Sequence, residues 1–168
     1  MKKNILRVST MAIIAMLSIT AVAALTYDII DNDALSSSPG VTRNYGMTYG
    51  KGAGNYNGDY RITKAGSGGG SYSWTHKTKY YEVAGMTSYR VYLNNTKFTC
   101  TSTYYSVSGG NLGDIVTRRL NQDTAAAGWN YIIRDVHGNG DFYLGASVIA
   151  SESSSDGYVG ADACQMVY

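Results

Sequence analysis

The chain has 168 residues, with 14 Lys and Arg against 12 Asp and Glu for a formal net charge of +2, and this near-balance excludes the strong positive field that nucleic-acid or anionic-membrane binding draws on. Tyrosine occurs 16 times and glycine 20 times, against two phenylalanines and one proline. Together with Val, Ile and Leu recurring at strand-like spacing, this mix selects a turn-rich all-β chain over a disordered Gly/Tyr segment.

Taken in chain order, Lys2, Lys3 and Arg7 form a positive start, MAIIAMLSIT at 11–20 an apolar core, and AVAA at 21–24 a run of small residues. This is the pattern of a cleaved secretory signal. The apolar run, about 15 residues with Ser18 and Thr20 inside it, falls short of the roughly 20 needed to span a bilayer. Residues 1–24 are therefore expected to be a signal peptide removed after Ala23 or Ala24. Residues 25–168 are then expected to form one secreted, extracellular domain with no membrane attachment. Loss of the signal leaves 11 basic against 12 acidic residues, a net of −1, so the apparent basicity belongs to export. Arg118-Arg119 is the one adjacent basic pair that remains, and no nucleic-acid partner is expected.

LTYDIIDND at 25–33 reads as a short strand ending in an acidic turn. Residues 34–59, rich in Ser, Gly, Asn and Tyr, show no period and read as a long loop with at most one short strand. DYRITKA at 59–65 alternates, GSGGG at 66–70 turns, and SYSWTHK at 71–77 places Tyr72, Trp74 and His76 on one face. A turn at Ala84-Gly85 leads into a strand with Tyr89, Val91 and Leu93 on one side and Arg90 and Tyr92 on the other. KFTCTSTYYSVSGG at 97–110 is strand-like, with Phe98 and Cys100 sharing a face. In GDIVTRRLNQD at 113–123, Ile115 and Val116 point opposite ways and leave the face ambiguous. DTAAAG at 123–128 is too short for a stable helix. WNYIIRDV at 129–136 and FYLGASVIA at 142–150 read as strands around a glycine-rich turn, SESSSDG at 151–157 as a turn, and GYVGADACQMVY at 157–168 as a closing strand. About eight or nine strands with no crossover helices describe a β-sandwich and exclude a parallel α/β sheet.

Chemistry-bearing residues are sparse. Cys100 and Cys164 are the only cysteines, and an oxidising compartment permits one disulfide between them; bonded and free states both stay open. There is no CxxC pair, metal-type Cys/His cluster or GxSxG elbow. His76 in a strand and His137 in a turn read as structural. Only Glu82 and Glu152 are glutamates, a poor basis for a paired-carboxylate glycosidase. Asp28, Asp31 and Asp33 read as an acidic turn, with a calcium site as the sharper alternative. Asn94-Asn95-Thr96 is a glycosylation-type triplet of low specificity. Sixteen tyrosines exceed what a core of this size can hold with every hydroxyl satisfied. Tyr45, Tyr49, Tyr56 and Tyr60, in or beside the glycine-rich segment, are the candidates for stacking on sugar faces; packing of the loop onto the sandwich is the structural alternative. No catalytic residue and no cofactor are expected.

GWNYI at 128–132, FYLGASVIAS at 142–151 and the closing GYVGADACQMVY resemble the C-terminal half of golvesin/xanthan-lyase-type carbohydrate-binding-like domains. IIDND at 29–33, GDYRITKAGSGGGSYSWT at 58–75, AGMTSYRVYL at 84–93 and YYSVSGG at 104–110 are similar to that family's upstream segments. Ile132-Ile133 stands where the family has Leu-Gly, and Cys164 where it has an aliphatic residue. The resemblance implies a galactose-binding-like jelly roll, with Trp74 and Trp129 at structural positions. It also implies a non-catalytic module that binds extracellular or cell-wall polysaccharide. The alternative is a structural or interaction protein of the cell surface or an extracellular assembly, with a protein partner. In the closing strand, Asp162 shares a face with Cys164, Met166 and Tyr168; if that face is inward, its carboxylate needs donors from a neighbouring loop or a structural calcium.

Overall fold

The computed structural model describes residues 27–33, 40–66, 70–77, 86–108, 115–137, 143–149 and 157–167. The expected signal peptide, Glu82, Glu152, the turn at 84–85 and the side chain of His137 lie outside them. The described residues form twelve strands: β1 (Tyr27–Ile30), β2 (Gly40–Tyr45), β3 (Thr48–Lys51), β4 (Asp59–Lys64), β5 (Ser71–Lys77), β6 (Met86–Leu93), β7 (Thr103–Ser108), β8 (Val116–Leu120), β9 (Gly128–His137), β10 (Tyr143–Ile149), β11 (Tyr158–Ala161) and β12 (Cys164–Val167). They assemble as β1-β12-β6-β9, β2-β5-β10-β7-β8 and β11-β4-β3. All pairs are antiparallel. The expected all-β jelly-roll sandwich is present, with more and shorter strands than the alternation suggests. No helix among the described residues is long and apolar enough to cross a membrane.

The core forms where the alternation of β5 and β6 meets. Tyr72 and Trp74 pack edge to face at 5.1 Å, and His76 meets Tyr89 across the layers at 5.6 Å. Val91, Leu93, Ile132, Cys164 and Met166 complete this layer, and the Tyr89 hydroxyl donates to the Met166 sulfur at 3.1 Å. Burial lowers the His76 pKa to about 4, so the imidazole is neutral, with Nε2 3.4 Å from the Asp28 carbonyl. It is a core residue. The cysteines are not joined: Cys100 and Cys164 are both buried thiols within the apolar core. Burial raises the Cys164 pKa, which keeps the thiol protonated.

Three segments differ from the sequence reading. The stretch 34–59 contains β2, β3 and a 3-10 turn at Tyr56–Gly58 rather than a long loop. Asn44 closes the β2–β3 corner, donating from Nδ2 to the Met47 carbonyl and accepting the Met47 N–H at Oδ1, both at 2.9 Å. Gly46 takes φ 80° within it. The chain end is two strands, not one: β11 pairs with β4, β12 pairs with β1 and β6, and Asp162-Ala163 is the corner between the sheets. At that corner the Ala163 carbonyl accepts the Tyr92 N–H at 2.9 Å, which seats the start of β12 beside the end of β6. KFTCTS at 97–102 also lies outside any strand; β7 begins at Thr103. Its Phe98 fills the space left by Gly160, where an added Cβ would stand 2.0 Å from the ring.

Candidate functional site

One end of the sandwich carries the candidate site. β6 ends there at Leu93, β9 begins at Gly128, and the 52–58 loop folds over both. Three side-chain contacts fix that loop. Asn55 Oδ1 accepts from Asn95 Nδ2 at 3.0 Å, Asn57 Nδ2 donates to Asp31 Oδ2, and the Tyr56 N–H donates to Asp162 Oδ2 at 2.9 Å. Asn57 adopts φ 50°, a left-handed conformation that Asn tolerates better than most residues.

The anchored loop delivers Tyr56 to two aromatic residues on the outer face of the four-stranded sheet. Tyr92 of β6 and Trp129 of β9 are register partners with ring centroids 5.3 Å apart, and Tyr56 lies 5.7 Å from each. All three side chains are half-buried, so each keeps part of its surface in solvent. Two residues further along the same face, Arg90 of β6 faces Tyr131 of β9. The Arg90 guanidinium carbon lies 4.8 Å from the Tyr131 ring centroid and that of Arg134 lies 3.5 Å from it. Register shifts around Tyr89 put extra residues into β9. They allow both Ile132 and Ile133 to be buried while Arg134 turns back over Tyr131.

Behind the loop, a groove of about 270 Å³ is lined by Lys51, Asn55, Tyr60, Asn94, Asn95 and Lys97 among others. A second depression of about 190 Å³ lies on the other side of the 94–96 turn, bounded by Asn94, Phe98, Gln122 and Asp123. The first presents amide and ammonium donors, the second amides and the Asp123 carboxylate, and neither is a deep apolar pocket.

Of the four candidate tyrosines, only Tyr56 joins the aromatic cluster. Tyr45 and Tyr49 are 52% and 48% exposed but stand on β2 and β3, away from it; Arg61 covers the Tyr49 ring at 4.6 Å. Tyr60 is 3% exposed and presents no stacking face, because its ring packs against Phe98 and its hydroxyl accepts from Lys97 at 3.1 Å. Trp74 is fully buried. Trp129, expected at a structural position, is instead half-exposed in the cluster. Tyr92 was not singled out from the sequence, although its alternation against Tyr89, Val91 and Leu93 places it on the outward face.

Asp162 is 1% exposed, and burial, together with the charges of Asp31 and Asp59, raises its pKa to about 8. The neutral acid keeps Oδ2 as an acceptor for Tyr56. Among the described residues no group of three or more His, Cys, Asp or Glu converges on a metal-ion position. Asp31 is occupied by Asn57 and by the Asn32 N–H at 2.7 Å, and Asp33 is exposed.

No family model matches the chain, and no curated protein matches it. Among solved structures it is similar to a Paenibacillus xanthan lyase, with 22% identity and a TM-score of 0.64. That match covers 84% of this chain and 13% of the lyase, so the likeness is to one small part of a much larger protein. More distant likenesses are a family 29 carbohydrate-binding module mutant solved with mannohexaose and an exo-β-1,3-galactanase from Phanerochaete chrysosporium. These are 13% and 12% identical, each with a TM-score of 0.46, and cover 85% and 84% of this chain and 92% and 29% of theirs. At these identities the chain shares with the lyase segment a fold, an antiparallel β-sandwich.

Proposed function

We propose that this chain is a secreted, non-catalytic module that binds extracellular or cell-wall polysaccharide at the loop end of its sandwich. The observation that carries the reading is the trio Tyr56, Tyr92 and Trp129, three half-exposed rings held together by a loop whose position is fixed from three directions. Aromatic faces cover the apolar faces of sugar rings, and the Asn and Lys side chains of the neighbouring groove supply donors for hydroxyls. The xanthan-lyase fold likeness and the signal-like N-terminus support the same reading. His76, neutral and fully buried, has no access to a substrate, which supports a binding rather than a catalytic role.

Pull-down on insoluble polysaccharides and a glycan array, each with and without calcium, test it. Retention that is lost in Trp129→Ala at unchanged melting temperature is the expected result. Absence of binding to every glycan in both buffers would sink the proposal.

A further inference from the structure

The outer face of β6 and β9 carries two arginines beside the aromatic trio, and neither has a carboxylate partner among the described residues. Arg90 and Arg134 both lie over Tyr131, and the buried Nε of Arg90 makes no hydrogen bond. Gln165 of β12, the register neighbour of Arg90, also has an unpartnered Oε1; an amide there can accept from Nε but neutralises no charge. Two like charges on one tyrosine ring repel each other. Burying part of one of them without a counter-ion adds a desolvation cost. An anion would offset both costs. Stacking on Tyr131 engages the guanidinium faces rather than their N–H groups, and a carboxylate accepting paired N–H bonds from the Nη atoms suits that geometry.

We propose that Arg90, Tyr131 and Arg134 form a subsite for the carboxylate of an acidic sugar whose neighbouring ring lies along Tyr92 and Trp129. Arg90 and Tyr92 are alternate residues of one strand, so their side chains leave the sheet about 6.6 Å apart. A stacking surface and an anion site at that separation address one sugar residue or two adjacent ones. With only two guanidiniums, and a chain of net charge −1 once the signal-like segment is excluded, the site lacks the cation density that a nucleic acid or a highly sulfated polymer requires. The inference rests on the polysaccharide reading above and narrows its ligand class to carboxylated glycans.

Affinity electrophoresis of the purified chain provides the test, in gels containing polygalacturonate, alginate or glucuronoxylan. The comparison gels contain the carboxyl-reduced form of each polymer, or dextran sulfate. The expected result is at least a tenfold preference for one of the polyuronates over its reduced form. Arg134→Gln, and Arg90→Gln with Arg134→Gln, should cut that preference to under about twofold while binding to the reduced polymer stays within about twofold of the parent. Arg134 is exposed, so its single variant reads the site without endangering the fold. Equal binding to native and reduced polymers, or a preference that survives both variants, overturns the acidic subsite and leaves the polysaccharide reading standing. So does dextran sulfate binding as tightly as the polyuronate, which indicates general polyanion attraction. Binding to none of the polymers, acidic or reduced, removes the subsite and counts against the polysaccharide reading itself.

Discussion

Asp162 Oδ2 accepts the backbone N–H of Tyr56 at 2.9 Å across 106 residues of sequence. This bond joins the corner between the last two strands to the loop that carries one ring of the aromatic trio. The acid is thus part of the fold and also positions one ring of the candidate site. Tyr56 lies in a loop outside any ladder, and the Asp162 side chain supplies the acceptor for its N–H.

Asp162→Ala removes that acceptor. At pH 5, where the native acid is protonated, the expected cost is about 1–2 kcal/mol for the lost bond and the poorly paired N–H it leaves. The Tyr56 ring should also loosen from Tyr92 and Trp129, visible as a change in tryptophan fluorescence. A melting temperature identical to that of the parent at pH 5 would refute this account.

The rings separate binding from stability. Trp129→Ala or Tyr92→Ala should weaken polysaccharide retention about tenfold, near 1.4 kcal/mol. Tyr45→Ala, on a strand of the other layer, should leave retention and melting temperature unchanged. Tyr60→Ala should do the reverse of Trp129→Ala: it opens a cavity beside Phe98, so stability falls by about 3 kcal/mol or more. Binding titration and thermal melts on the four variants check the pattern.

What the sequence made legible follows from where local pattern and tertiary pairing agree. In β5 and β6 the alternation is clear: Tyr72, Trp74 and His76 share a face as read, as do Tyr89, Val91 and Leu93, and both faces turn out to be inward. β2 and β3 escaped because their side chains do not alternate between core and solvent; β3 has no buried residue at all. They are strands because β5 and β4 supply their ladders, which local pattern does not reveal, and Asn44 closes the corner between them. The split of GYVGADACQMVY into β11 and β12 was hidden for the opposite reason. Apolar residues continue on both sides of Asp162, while the change of sheet is set by which neighbours each half meets. The aromatic trio draws on residues 56, 92 and 129, and no spacing along the chain announces such a cluster.

Gln122 ties three segments together and gives a second stability test. Its Nε2 donates to the Tyr105 hydroxyl at 2.7 Å and to the Gly160 carbonyl at 2.8 Å, and its Oε1 accepts the Gly160 N–H at 2.9 Å. Gln122→Ala leaves these buried groups unpaired and should cost about 3 kcal/mol, since each unsatisfied group carries about 1 kcal/mol or more. Gly160→Ala should be as damaging for a steric reason, because its Cβ would stand 2.0 Å from the Phe98 ring. Chemical denaturation of both variants measures the losses; an effect under about 1 kcal/mol in either contradicts the packing described.

The raised pKa of Asp162 makes stability depend on pH. Its folded value is about 8 against an ordinary 3.8, so between these limits the native state holds a proton that the unfolded chain releases. The favourable contribution is complete below about pH 4 and is lost as pH rises towards 8, with a ceiling of about 1.4 kcal/mol per pH unit for one group. Asp162→Asn keeps an acceptor for the Tyr56 N–H and carries no charge at any pH. The variant should therefore melt higher than the parent at pH 8, with the difference shrinking steadily to near zero at pH 4. Thermal melts of the pair at pH 4, 6 and 8 decide it, and a difference that is constant across the series would show that Asp162 is ionised in the fold and that its position is governed by something other than burial.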